Sequence, residues 1–93
     1  MFVVTYTYDP VTAETADRVR PDHRAFLAAL AATGELVASG PWLDGEAGAL
    51  ILLRADSRQA VLDLLEADPF RAAGVIAERT VREWNPVIGV FAE

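Results

Sequence analysis

The apolar pattern of this chain predicts a small α+β fold: a four-stranded antiparallel sheet with two helices on one face. Three observations carry that expectation. Four segments read as strands and two as amphipathic helices, in the order β-α-β-β-α-β, the split βαβ arrangement. The chain has 93 residues, which suits one modest core and a single domain spanning 1–93. The third strand is apolar on both faces, with Ala49, Ile51 and Leu53 on one side and Leu50 and Leu52 on the other. An antiparallel sheet with one wet face should alternate instead. The back of the sheet is therefore expected to be covered, most simply by a second copy of the chain. Such a homodimer, packed sheet on sheet, would form an α/β barrel-like core.

Each element has its own local signature. FVVTYTY (2–8) is β-branched or aromatic throughout and reads as a strand ending at Asp9-Pro10. Residues 11–19 form a polar connection with room for some helix. A helix is expected from about Pro21, whose missing N–H costs nothing in a first turn, to Gly34 as its C′ residue. His23, Phe26, Leu27, Leu30 and Ala31 recur along one face of it. ELVASGPW (35–42) reads as a second strand, interrupted by Gly40-Pro41 and so at an edge or a bulge. Asp44-Gly45 signals a hairpin turn, and AGALILLR (47–54) is the third strand. Asp56 with Gln59 suggests a capping box for a second helix, with Ala60, Val61, Leu64 and Leu65 as its stripe. That helix should end before ADPF (67–70), since Pro69 disfavours a helical Asp68. VIAERTVREW (75–84) is the fourth strand, its charged ERTVRE stretch being the solvated part of a buried strand. The apolar VIGVF (87–91) is left over, and it could extend across the contact between two sheets.

Composition excludes several function classes. The net charge of −6 disfavours nucleic acid, and all eight basic residues are scattered arginines. With no lysine, a side-chain Schiff base is excluded. Without cysteine there is no disulfide, thiol nucleophile or thiolate metal site. No apolar run approaches bilayer length and the N-terminus lacks a basic region before its apolar residues, so a cytoplasmic protein with no membrane partner is expected. One histidine leaves no histidine-rich metal site, and no glycine-rich nucleotide fingerprint or GxSxG elbow occurs. No metal and no organic cofactor are expected.

Acid–base chemistry by His23 with a carboxylate is what this inventory leaves. A histidine acting as base needs a partner on its second nitrogen to fix the tautomer. Asp22 is adjacent but points off the apolar stripe, where it would favour the helix N-terminus. Asp68 is the better partner, at the end of the second helix between Ala67 and Pro69-Phe70. Each residue also has a structural reading. His23 is equally a core histidine bonded to a carbonyl, and Asp68 a local turn acceptor ahead of Pro69. Ser39 can be a nucleophile or, more ordinarily, a hydroxyl that satisfies backbone. Trp42, Trp84 and Phe70 either line a pocket or pack.

The motifs RPDHRAFLAAL, ASGPW, ADPF followed by AAGV, and the closing WNPVIG occur in an order and spacing that resemble the YCII-related (YciI-like) family. The resemblance covers nearly the whole chain. It implies a ferredoxin-like fold assembled as a dimeric α/β barrel that holds a small-molecule ligand. It also implies a His–Asp dyad at His23 and Asp68, with Ser39, Gly40 and Pro41 lining the same pocket and Phe70, from ADPF, beside them. The activity associated with the family is dehydrochlorination of a chlorinated hydroxyquinol, which suits a proton-shuttling dyad of a lyase or isomerase. A non-catalytic binding domain and an assembly module are the alternatives. The short connection at Asp44-Gly45 departs from members with a longer insertion, which implies a more open pocket mouth.

Overall fold

In the computed structural model, described here for residues 1–92, the elements follow the expected order with one short helix added. Strand β1 spans Phe2–Tyr8, helix α1 Ala13–Ala32, β2 Leu36–Pro41, β3 Gly48–Leu53, helix α2 Arg58–Leu65, the short helix α3 Pro69–Ala72, and β4 Ile76–Glu83. The strands lie in the order β2-β3-β1-β4, each neighbouring pair antiparallel. Among the described residues, no helix is long and apolar enough to cross a membrane.

Register explains the core. Phe2 pairs with Leu53, Val4 with Ile51 and Tyr6 with Ala49, which puts all six on one face. That face meets Leu27 and Leu30 of α1 and Val61 and Leu65 of α2. The opposite face carries Val3 against Leu52 and Thr5 against Leu50. Leu52 is buried and Leu50 half-buried there, so β3 is apolar on both faces as its sequence indicates. Gly48 is required where β3 begins. A methyl group on it would fall on the carbonyl oxygen of Tyr6 and against the Trp42 ring.

Helix α1 differs most from expectation. It starts at Ala13, not near Pro21, after a 3-10 turn over Pro10–Thr12. Asp9 caps that turn, its carboxylate accepting the Val11 N–H at 3.0 Å. Pro21 therefore lies inside the helix. It is tolerated because it faces solvent, where the carbonyl it leaves unpaired one turn back can be hydrated. Residues 13–19 fold as helix because Ala16 and Val19 pack on Phe70 and Val75, a satellite of the core that periodicity from His23 onward does not reveal. The buried stripe is Ala16, His23, Leu27 and Leu30, while Phe26 is half-buried and Ala31 exposed. Asp22 lies in mid-helix and is exposed; Glu14 occupies the first turn instead. The far end is as expected. Gly34, at φ 87°, follows the helix, and Glu35 and Gly34 donate to Leu30 and Ala31 in a Schellman arrangement.

The cap of α2 is shifted by one residue. Ser57, not Asp56, accepts the Ala60 N–H at 3.1 Å, and Gln59 donates to Asp63 one turn on. Val61 and Leu65 are buried, Leu64 half-buried and Ala60 exposed. β2 is an edge strand, which accommodates Pro41, and its register shifts between Leu36 and Ala38. β4 is the other edge. Within ERTVRE only Val81 is buried, so this strand is largely solvated rather than largely buried. After it, Val87, Ile88 and Val90 are exposed.

Candidate functional site

The site is assembled where the middle of α1 meets the start of α3. Pro69 forces Asp68 into an extended conformation, with φ −62° and ψ 122°, so Asp68 becomes the N-cap of α3. Its Oδ1 accepts the Phe70 N–H at 2.9 Å, the local turn bond anticipated for an aspartate before proline. The same oxygen lies 2.7 Å from Nδ1 of His23. The two readings of Asp68 are therefore compatible: capping aims the carboxylate at the histidine.

The other oxygen, Oδ2, accepts the phenol O–H of Tyr6 at 3.0 Å. Asp68 is fully buried and His23 is 6% exposed. Burial and the neighbouring Asp68 carboxylate push the Tyr6 phenol far above its ordinary range, so it stays a donor. The Phe70 ring lies flat against His23, with centroids 3.9 Å apart and planes 7° from parallel. Tyr8 meets Phe70 edge-on at 5.3 Å. Burial pushes the Tyr8 phenol up to about 12, the Asp68 charge adds to this, and the charges of Arg20 and Arg24 oppose it. Tyr8 is thus also protonated at neutral pH.

His23 forms part of the wall of a cavity of about 430 Å³, between α1 and the end of the sheet that carries β2 and the start of β3. Ser39, Gly40, Pro41 and Phe70 also line it, so these five residues, dispersed in the sequence, meet at one place. Asp68 lies behind His23, away from the cavity wall. Trp42 lines the cavity while Trp84 does not, and both are partly exposed. Tyr6 and Tyr8 are among the few reactive side chains of the sequence, but neither they nor Arg20 and Arg24 were placed at the site by sequence pattern. Tyr6 alternates with Thr5 and Thr7 as an ordinary inward strand residue, and nothing in its local pattern signals a bond to residue 68. Arg20 and Arg24 were legible as the i and i+4 flanks of His23 on one helix. Among the described residues, no three His, Cys, Asp or Glu side chains converge on a possible metal position.

In the neutral ring, the geometry favours one histidine tautomer. A carboxylate that already accepts two N–H or O–H groups also accepts the Nδ1 proton of His23, leaving the Nε2 lone pair free. Nε2 has no hydrogen-bond partner among the described residues. Such a ring can take a proton at Nε2 while the buried carboxylate stabilises the resulting imidazolium. Tyr6→Phe is expected to leave Oδ2 of Asp68 unsatisfied and to cost about 1–3 kcal/mol, measured by urea unfolding.

Comparisons with known proteins agree with this architecture. The family model for the YCII-related domain matches residues 1–85. Among solved structures, the fold is similar to 5-chloro-2-hydroxyhydroquinone dehydrochlorinase from Burkholderia phenoliruptrix AC1100 in complex with 2,5-dihydroxybenzoquinone. The TM-score is 0.80 at 24% identity, covering 90% of this chain and 92% of that one. No curated protein gives a sequence match.

Proposed function

The chain belongs to the YCII-related family, and from that premise we propose that it is a cofactor-free acid–base enzyme acting on a small cyclic molecule. The observation that carries the proposal is the 2.7 Å contact between His23 Nδ1 and a fully buried Asp68, with Nε2 left free on a ring in the cavity wall. In the proposed reaction, Nε2 takes a proton from the substrate. The electron pair released forms a new double bond and expels a leaving group as an anion, or shifts along the molecule to another atom, which takes the proton back from Nε2. Asp68 stays ionised and holds the imidazolium until the proton passes to water or product. No electrons are exchanged with a co-reactant. Ser39 and the Gly40-Pro41 backbone would shape the wall opposite His23, and Phe70 would hold the ring plane.

The similar fold of a dehydrochlorinase supports elimination of chloride as the first activity to test. Purified protein is expected to release chloride from 5-chloro-2-hydroxyhydroquinone or a related chlorinated hydroquinone. Saturable binding of such compounds without turnover would favour a binding domain instead.

We also propose that the chain works as a homodimer through the helix-free face of its sheet. Half-buried Val3 and Leu50 on that face support this, as do exposed Val87, Ile88 and Val90 in the C-terminal segment. Light scattering after gel filtration should give twice the chain mass of 10.1 kDa, and Leu50→Glu should halve it. A monomer at micromolar concentration would contradict the dimer.

A further inference from the structure

The cavity wall is electrically unlike the rest of the molecule. The chain has fourteen acidic residues against eight arginines, a net charge of −6. Yet among the described residues no aspartate or glutamate lines the cavity, whereas Arg20 and Arg24 both do. They stand four residues apart on α1 and bracket His23. Arg24 makes no hydrogen bond or ion pair with any described residue. Arg20 is held by Asp17 through Nη1 at 2.7 Å, which leaves most of its five donors unused. Asp17 is itself 75% exposed, away from the cavity. The carboxylate bonded to His23, that of Asp68, is fully buried behind the ring. Tyr8, Trp42 and Phe70 give the same cavity an aromatic lining.

We propose that the substrate is a small planar organic anion, its charged oxygen held by Arg20 and Arg24 and its ring against the aromatic wall beside His23. This rests on reading the cavity as the substrate site and adds the charge of the substrate to it. Guanidinium groups suit the task because they present several donors to a carboxylate or an ionised ring hydroxyl and remain charged at any working pH. The same two charges would stabilise negative charge spreading into the ring as His23 removes a proton. A cationic substrate would meet two like charges at the wall.

The test is an NMR titration of the full chain, following the His23 ring and Trp42 indole signals. The probes are benzoate, the ionised quinone 2,5-dihydroxybenzoquinone, and benzamide as a neutral match for benzoate. At least one anion is expected to bind about tenfold or more tighter than benzamide, equivalent to about 1.4 kcal/mol. Tighter binding of benzoate would identify a carboxylate, and tighter binding of the quinone an ionised ring oxygen. Arg24→Gln and Arg20→Gln should each weaken the anion several-fold and leave benzamide unchanged, and added salt should act in the same sense. Benzamide binding as tightly as both anions would overturn the anion preference while leaving the cavity as a binding site. Anion affinity unchanged in both arginine variants would overturn it as well. If no probe moves the His23 signals, the reading of the cavity as a substrate site falls with it.

Discussion

His23→Gln is expected to lower turnover by about 10²–10⁴-fold, the usual contribution of a positioned acid–base group, while the protein stays folded. Glutamine approximates the volume of the imidazole and keeps an amide N–H that can reach Asp68, so the buried carboxylate keeps a donor. What it loses is a basic atom at the position of Nε2. The loss should therefore appear in kcat, with KM for the substrate nearly unchanged. A His23→Leu variant separates chemistry from packing. It removes the polar ring from its stack on Phe70 and leaves Asp68 with only Tyr6 and the Phe70 N–H. If His23→Leu stabilises the fold and keeps full turnover, the histidine is a packing residue.

Asp68→Ala should have the largest effect on stability. Asp68 is buried and accepts from three groups: the Tyr6 phenol, the Phe70 amide and the His23 ring. Alanine would strand all three donors and remove the cap of α3, which packs against α1. Removing one partner of a buried pair costs about 3–5 kcal/mol. At about 4–8 °C per kcal/mol for a domain of this size, the melting temperature should fall by more than about 10 °C. Asp68→Asn is the gentler change. The Phe70 N–H selects the amide oxygen at the Oδ1 position, so the His23 tautomer should be kept. The amide NH2 at the Oδ2 position donates to the Tyr6 oxygen and leaves the Tyr6 O–H without its acceptor. The charge that stabilises the imidazolium is lost, and turnover should drop with a smaller loss of stability than in Asp68→Ala. Equal turnover in the Asn variant would reduce Asp68 to a structural cap.

The strand pattern was readable because β1 buries alternate residues, β3 is a continuous apolar run, and the turns carry strong local signals. Gly34 and Asp44-Gly45 are examples. Helix α1 was only half readable. Its first two turns are polar apart from Ala13, Ala16 and Val19, and Pro21 resembles a start signal although it sits in mid-helix. The proximity of His23 and Asp68 was suggested by both lying at helix positions on one side of the sheet and by the family motifs. The device that aims Asp68, a cap forced by Pro69, was read only as an alternative to that role. The bond from Tyr6 was not readable at all, since it joins residues 62 positions apart through a side chain on a strand with no distinguishing pattern. The cavity arginines were visible as sequence, but only the fold shows which of the eight line the cavity with His23 and that, among the described residues, no acid lines it with them.

The proposed chemistry requires one orientation of one imidazole ring: in the neutral ring Nδ1 carries a proton held by Asp68, and Nε2 is a free base at the cavity. The ring nitrogens of this single histidine can be observed directly by ¹⁵N–¹H NMR, without a competing histidine signal. At a pH high enough for the ring to be neutral, the account predicts a protonated Nδ1 coupled to its hydrogen and an unprotonated Nε2. That Nε2 should shift when an anionic ring compound is added. A ring protonated at Nε2 when neutral, or one whose Nε2 signal no cavity ligand perturbs, would contradict the account.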